Sequence, residues 1–217
     1  MKYVFNIKHN TPTTDLKKLI IQALAGQSVN ATIAYMRVKD SNGNILGSAQ
    51  VTSSDWSNYT VTKNITITTA GSATKFTLEN SDGVELYVYE LSSPLQLNAN
   101  DVVSITWSIS KQTGTNMNDV GNEILDFIIG NVTSIKIAKV AFYYQGAEQV
   151  SQTQLNVTAD TTNLKVTITG SVSPSSNVSY DSIWIFDENG MLLFNISASG
   201  QLASNVTTNF TIEITLE

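Results

Sequence analysis

The residues suited to acid–base or nucleophilic chemistry are few in this chain. His9 is the only histidine and cysteine is absent, so a Ser-His-Asp triad has one candidate base and a cysteine nucleophile has none. His9 lies beside Asn10 and Pro12, a combination typical of a turn. The sequence therefore predicts a solvated loop position for His9, and it excludes histidine-cluster and thiolate metal sites.

Two pairs of carboxylates have the spacing for general acid–base catalysis, Asp187 with Glu188 and Asp82 with Glu85. Both pairs lie in Asx-Gly segments, FDENGM and NSDGV, whose residues tolerate the positive φ of a hairpin turn. These segments and DSNGN at 40–44 share the start of a calcium loop but lack its distal bidentate glutamate. We therefore expect turns here, with no catalytic site, metal site or cofactor.

Aromatic pairs offer a different chemistry, the stacking of sugar rings on a sheet face. The candidates are Trp56 with Tyr59 and Tyr87 with Tyr89. However, ELYVYEL at 85–91 alternates so regularly that its tyrosines fit a cross-strand packing row. Packing is the favoured interpretation, and a carbohydrate-binding surface is the alternative.

Asn-x-Ser/Thr triplets are candidate N-glycosylation sites, and nine occur where 21 Asn and 50 Ser plus Thr predict about five by chance. Glycosylation would place the chain outside the cytoplasm or on a virion. Asn followed by a β-branched residue and Thr is also ordinary strand-edge chemistry, so both interpretations stay open. The nine are Asn30, Asn58, Asn64, Asn131, Asn156, Asn177, Asn195, Asn205 and Asn209.

The composition of the 217 residues excludes several classes of protein. The net charge is −6 and the 12 basic residues are scattered, which argues against a nucleic-acid partner. No run approaches the roughly 18 apolar residues of a membrane span. MKYVFNIKHNTPTTD opens with strand-like alternation and a proline turn, so no cleaved signal is predicted. Abundant Ser, Thr and Asn favour strands and turns.

One amphipathic segment interrupts this β pattern and then returns. Leu16, Leu19, Ile20, Ala23 and Leu24 form one apolar stripe, which predicts a helix over 14–25 that Thr14 or Asp15 caps and Gly26 ends. The pattern recurs 104 positions later, at residues 119–142. The aligned pairs include Asp15 with Asp119, Ile20 with Ile124, Leu24 with Ile128 and Gly26 with Gly130.

A second alignment links the C-terminal parts of the two halves at an offset of 107 positions. FTLENSDGVEL at 76–86 matches IWIFDENGMLL at 183–193, and Gly83 falls on Gly190. Further on, Val103, Ile105 and Trp107 fall on Phe210, Ile212 and Ile214. Two matching blocks in the same order indicate a tandem duplication.

The predicted fold is mainly β, with two tandem, duplicated β-sandwich domains that are jelly-roll-like and carry one short amphipathic helix each. The predicted domains are 1–111 and 112–217, with a linker at 111–119. Strand 2–8 aligns with the end of the first unit's last strand, so a shared or exchanged strand stays open. The predicted strands are 2–8, 31–39, 45–52, 58–69, 74–79, 84–91, 102–110, 135–144, 148–158, 163–169, 181–187, 191–198 and 207–216.

A chain that is poor in charge, rich in Ser, Thr and Asn, free of cysteine and built from duplicated β units resembles the turret and penton-base proteins of tailless icosahedral archaeal viruses. That resemblance implies jelly-roll domains in series and a virion location. The expected function is a non-enzymatic capsid vertex component that binds copies of itself and other capsid or surface proteins. The alternatives are a carbohydrate-binding module of the cell surface or of a fibre, with an extracellular or cell-surface location, and a hydrolase that uses the Asp/Glu pairs.

Overall fold

The computed structural model describes residues 1–8, 11–109 and 122–216. The fold over these residues is mainly β, with two α-helices and one short 3-10 helix. The first half contains β1 (Lys2–Ile7), β2 (Thr11–Pro12), α1 (Thr14–Leu24), β3 (Tyr35–Lys39), β4 (Ile45–Gln50), the 3-10 helix (Ser53–Asp55), β5 (Thr60–Thr66), β6 (Gly71–Glu79), β7 (Glu85–Leu97) and β8 (Val102–Ser108). The second half contains α2 (Glu123–Ile129), β9 (Ile137–Tyr144), β10 (Ala147–Gln152), β11 (Asn156–Asp160), β12 (Lys165–Val172), β13 (Val178–Asp187), β14 (Leu192–Leu202) and β15 (Thr208–Thr215).

The chain divides into two compact units, which we call unit 1 and unit 2. The described residues of Met1–Leu19, Asn30–Ser110 and Leu125–Asn131 form unit 1. Unit 2 is formed by the described residues of Ile20–Val29, Lys111–Ile124 and Val132–Glu217. The predicted linker at 111–119 lies outside the described residues, so the boundary at residue 111 stays a prediction.

Unit 1 contains a five-stranded sheet in the order β2-β7-β6-β3-β4 and a three-stranded sheet in the order β1-β8-β5. β1 runs parallel to β8, and β5 runs antiparallel to it. The two sheets meet where Phe5 packs edge-on against Phe76, with ring centroids 4.7 Å apart. This contact makes unit 1 a β-sandwich with its core between the sheets.

Unit 2 has the same two-sheet design. Its larger sheet has the order β10-β9-β13-β14, and its smaller sheet has the order β11-β12-β15. Phe142 of the larger sheet packs edge-on against Phe210 of the smaller sheet at 5.6 Å. The prediction of a mainly β chain with two sandwich units and two short helices is therefore confirmed.

The strand registers of the two units match the sequence alignment. In unit 1, Lys75, Thr77 and Glu79 face Lys39, Arg37 and Tyr35. At the same offsets in unit 2, Ser182, Trp184 and Phe186 face Tyr143, Ala141 and Lys139. Bulges between Ala73/Lys75 and Leu78/Glu79 recur between Tyr180/Ser182 and Ile185/Phe186. A shared register with shared bulges supports a duplicated sandwich, because one slipped residue would move every side chain to the other face.

The sequence located the first helix correctly but not its cap. Leu16 donates its backbone N–H to the Thr13 hydroxyl over 3.1 Å, so Thr13 caps α1 rather than Thr14 or Asp15. The stripe residues Leu16, Ile20 and Leu24 are buried as predicted. Gly26 follows α1 and Gly130 follows α2, both with positive φ, which suits the end of a helix.

Several predicted strand limits were wrong. Residues 148–158 form two strands, β10 and β11, that belong to different sheets. The strand predicted at 84–91 extends as β7 to Leu97, and the strand predicted at 31–39 begins only at Tyr35. Sheet membership depends on long-range pairing, which residue propensity does not encode.

Candidate functional site

The first pair of candidate catalytic carboxylates, Asp187 and Glu188, lies in a turn. Asp187 accepts the backbone N–H groups of Asn189 and Met191 on Oδ1, at 2.9 and 2.8 Å. This side chain is buried in its turn, whereas the neighbouring Glu188 is exposed. Asp187 therefore stabilises the turn between β13 and β14, and Glu188 lies exposed beside it. His9 lies outside the described residues.

The second carboxylate pair is engaged with other partners. Asp82 accepts a hydrogen bond from the Asn30 amide at 2.8 Å. Glu85 forms ion pairs with Lys39 and Lys75, both at 2.9 Å. The two acids thus belong to separate interactions on the surface of unit 1.

The turns expected from the Asx-Gly segments are present. Asp40 Oδ1 accepts the N–H groups of Asn42 and Asn44, and Asn80 Oδ1 accepts those of Asp82 and Val84. The glycines of the three segments, Gly43, Gly83 and Gly190, have φ of +82°, +81° and +80°. Over residues 1–8, 11–109 and 122–216, no three His, Cys, Asp or Glu side chains cluster as a metal requires.

The aromatic pairs singled out from the sequence are mostly packing residues. Tyr87 is only 5% exposed, and Tyr89 stacks on Phe76 at 6.3 Å. Packing is therefore confirmed for these two tyrosines. Trp56 is partly buried, and its indole N–H has no partner among the described residues.

None of the nine candidate glycosylation asparagines is buried. Asn30 and Asn195 are partly exposed. The other seven, Asn58, Asn64, Asn131, Asn156, Asn177, Asn205 and Asn209, are exposed. Modification of these side chains stays a prediction.

The outer face of the larger sheet in unit 1 carries an ion-pair network. By strand alternation, this face is opposite to the one that holds Phe76. Glu79 is fully buried there and pairs with Lys39 at 2.6 Å and with Arg37. Burial of Lys39 acts to lower its pKa, but its bonds to Glu79 and Glu85 outweigh burial, so the pKa is raised. The network therefore favours the charged form of Lys39 inside the protein.

The corresponding face of unit 2 carries aromatic rings instead. Tyr143 and Trp184 stack at 4.1 Å between ring centroids, with 12° between their planes. Phe186 lies 6.2 Å from Trp184, and Lys139 Nζ lies 5.4 Å from the Phe186 ring centroid. All three rings are partly exposed. We call Tyr143, Trp184 and Phe186 the aromatic cluster.

The polar groups around the aromatic cluster are paired with each other. Glu148 bonds to Lys139 at 2.7 Å and accepts the Tyr143 hydroxyl at 3.3 Å. Trp184 donates its indole N–H to Ser182 at 3.2 Å. Burial, and then the negative charge of Glu148, raises the pKa of Tyr143. The result is a partly exposed apolar patch with a polar rim.

The two units also differ at one sheet edge. The shared register makes β15 of unit 2 the counterpart of β8 of unit 1, and β12 the counterpart of β5. β8 has a neighbour on each side, β5 and β1. β15 pairs with β12 alone, and no strand among the described residues pairs with its outer edge. Within the described residues, unit 2 therefore has an unpaired strand edge, the β15 edge, where unit 1 has β1.

The inward-facing side chains of β8 and β15 also differ in how deeply they are buried. Val103, Ile105 and Trp107 on β8 are fully buried. Their counterparts on β15 are only partly buried, and these are Phe210, Ile212 and Ile214. Apolar side chains of the β15 core row are therefore partly in contact with solvent.

Sequence reasoning missed both of these surfaces. The aromatic cluster combines β9 and β13, which are about forty residues apart in sequence. Its one signal was the offset of 107 positions, which places Trp184 on Thr77 and Phe186 on Glu79. The β15 edge had no local signal, because pairing partners are set by the tertiary fold.

No protein-family model, curated protein or solved structure matches this chain. Neither helix of the described residues is long and apolar enough to cross a membrane.

Proposed function

We propose that this chain is a non-enzymatic structural protein of a virion, a capsid vertex component that assembles as a homo-oligomer. The observation that supports assembly is the β15 edge of unit 2. Its backbone groups face no described strand, and its inward-facing apolar row is only partly covered. An edge of this kind is a template for pairing with another chain.

The composition of β15 favours association over protection. Protected edges carry lysine, proline, bulges or inward charges. β15 contains none of these over its eight residues TNFTIEIT, and its pairing with β12 shows no register shift. Its single charge, Glu213, is paired with Lys165 at 2.8 Å. β15 therefore has the regular, unprotected sequence of an interior strand, although it lies at the edge of its described sheet.

The mass of the native particle in solution tests the homo-oligomer. Sedimentation velocity and native mass spectrometry are expected to give multiples of the 23.5 kDa chain mass. Ile212→Lys places an inward charge on the β15 edge and should shift the particle to smaller species. Val157→Lys, on β11 at the opposite edge of the same sheet, is the matched control. A 23.5 kDa monomer at every concentration contradicts the proposal.

The virion location needs a separate experiment. Antibodies against the purified chain should label the vertices of intact virus particles, and peptides of the chain should be recovered from those particles. Recovery of the chain only from the soluble fraction of host cells would exclude a capsid role. It would leave the oligomer measurement untouched.

A second function, carbohydrate binding at the aromatic cluster, is supported by the partly exposed rings of Tyr143, Trp184 and Phe186. Flat rings beside polar side chains suit the apolar face of a pyranose. A glycan array should show binding that Trp184→Ala abolishes and Trp184→Phe retains. A blank array with the oligomeric protein removes this function.

A further inference from the structure

We infer that the β15 edge of one copy pairs with the outer edge of β1 in a second copy, so that the two small sheets join into one. The joined sheet would have the order β11-β12-β15-β1-β8-β5, with the last three strands from the second copy. This inference rests on the proposed homo-oligomer and names the surfaces that form it.

The first support is the internal comparison of the two units. β8 and β15 occupy the same position in sheets of the same register, and a strand lies beside β8. In unit 1 that strand is β1, and the inward row of Val103, Ile105 and Trp107 on β8 is fully buried. This strand position is therefore filled by β1 in unit 1, whereas no described strand fills it in unit 2.

The second support is that β1 also has an unpaired outer edge among the described strands and side chains that are not fully buried. Its inward residues Tyr3 and Phe5 are only partly buried, and the central outward residue Val4 is 72% exposed. β1 is an end strand of its sheet. Joining β1 to β15 would cover two partly exposed rows at once while β1 keeps its pairing with β8. No pairing is lost on association, which favours edge joining over exchange of β1 between copies.

Charge favours this pair of edges over two β15 edges. β1 contains the exposed Lys2 and is followed by Lys8 in sequence, whereas the charge of β15 is Glu213. A β1 edge thus brings positive charge near Glu213, which also pairs with Lys165 of its own chain, whereas two β15 edges would bring two glutamates near each other.

The contact joins two different surfaces, so it is heterologous. Repeated contacts of this kind close a ring or extend a filament. Val4 and Thr211 lie at the centres of the outward rows of β1 and β15. They come opposite each other when the two strands run parallel with Phe5 beside Ile212. They also do so when the strands run antiparallel with Phe5 beside Phe210. One cysteine pair therefore reports both directions.

The chain has no cysteine, so single-cysteine variants give an unambiguous test. Val4→Cys and Thr211→Cys are prepared separately, mixed, allowed to exchange subunits and oxidised. Paired strands bring the Cα atoms within the range that a disulfide bridges. Thr158→Cys is the matched control, because Thr158 is an exposed threonine at the centre of β11, the opposite edge of the same sheet.

The expected result is a disulfide-linked dimer that contains one Val4→Cys and one Thr211→Cys chain, at least tenfold more abundant than any dimer with Thr158→Cys. Dimers from Thr211→Cys alone would show a two-fold β15 contact and overturn the inference. Equal linking to Thr158→Cys would do the same. An oligomer without any β1–β15 link overturns this inference but leaves the proposed homo-oligomer standing, whereas a monomer in solution overturns both.

Glycosylation gives an independent check, because Asn209 lies exposed on β15. A glycan on Asn209 would block the edge by its bulk. Mass spectrometry of the assembled protein should therefore find Asn209 unmodified, even if Asn58 or Asn64 carries sugar. A fully glycosylated Asn209 in the oligomer contradicts the inference.

Discussion

The larger sheets of the two units hold their strands in the same register but carry different chemistry on their outer faces. Where unit 1 has Glu79 within an ion-pair network, unit 2 has Phe186 within the aromatic cluster. The inward positions keep their type, since Leu78 and Ile185 are both fully buried. Core packing and turns fix the register, so the outer face is free to differ between the units.

The small sheets add a second difference of the same kind. In unit 1, β1 lies beside β8, whereas in the described part of unit 2 the corresponding strand, β15, is an end strand. In unit 1 the inward row of β8 is therefore fully buried, and the charges on the outer face of the larger sheet are paired with each other. Over the described residues, unit 2 has a partly exposed aromatic face and an unpaired strand edge, the two surfaces on which the proposed assembly rests.

The largest expected effect is the loss of the buried charge of unit 1. Glu79→Gln leaves Lys39 and Arg37 without their buried partner and should lower the free energy of unfolding by about 3–5 kcal/mol. The counterpart change in unit 2, Phe186→Leu, should cost about 1 kcal/mol because that ring is partly exposed. Urea unfolding of both variants measures the difference. Equal losses would mean that the two faces contribute alike to stability.

The next effect concerns the core rows of β8 and β15. Trp107→Ala should cost about 3 kcal/mol, at the low end for such a change because it also removes a buried indole N–H that has no partner among the described residues. Ile214→Ala, at the corresponding position, should cost about 1–2 kcal/mol in the unassembled chain. Guanidinium unfolding of the two variants tests this order. A larger loss for Ile214→Ala would show that the β15 row is covered in solution.

A smaller effect concerns one pair of facing residues, in which unit 2 has a small and a large side chain where unit 1 has two of medium size. Gly170 of β12 faces Phe210 of β15, where unit 1 has Ile65 facing Val103. A Cβ added at Gly170 would lie 2.7 Å from Phe210 Cζ, so Gly170→Ala should cost about 1–3 kcal/mol. Adding Phe210→Val should recover part of that loss, and a double-mutant cycle measures the coupling. Additive effects would show that the two positions do not compensate.

The smallest effect is acid sensitivity. The hydrogen bonds from Lys63 and Thr52 lower the pKa of the Asp55 carboxyl from 3.8 to about 2. Because the folded pKa is below the unfolded one, this stabilisation is complete above about pH 4 and is lost as the pH falls towards 2. Stability measured over this range should fall less steeply for Asp55→Asn. Asp15→Asn, which removes an exposed carboxylate of α1, is the control and should keep the steeper profile.

Much of this architecture was predictable because it depends on patterns that span only a few neighbouring residues. The apolar stripe of Leu16, Ile20 and Leu24 gave helix α1, and the Asx-Gly segments gave the turns at Gly43, Gly83 and Gly190. The two offsets of the alignment also anticipated the shared register of the sheets. Periodicity and turn chemistry act over a few residues, so they survive in the bare sequence.

Other features depended on the fold. The sequence predicted one strand at 148–158, and only sheet formation divided it into β10 and β11. Tyr87 became a core residue and Trp184 a surface residue through the faces on which their strands placed them.

By itself, the sequence determined a duplicated β-sandwich chain with two short helices. The reason is that strand alternation, apolar helix stripes and Asx-Gly turns each depend on residues that are close in sequence. The tertiary structure alone decided that Glu79 is buried among cations, that Tyr143 stacks on Trp184, and that β15, unlike β8, has a single neighbour among the described strands. These outcomes depend on which distant strands pair, and the free energy of that pairing is shared across the whole sheet rather than encoded at any one residue.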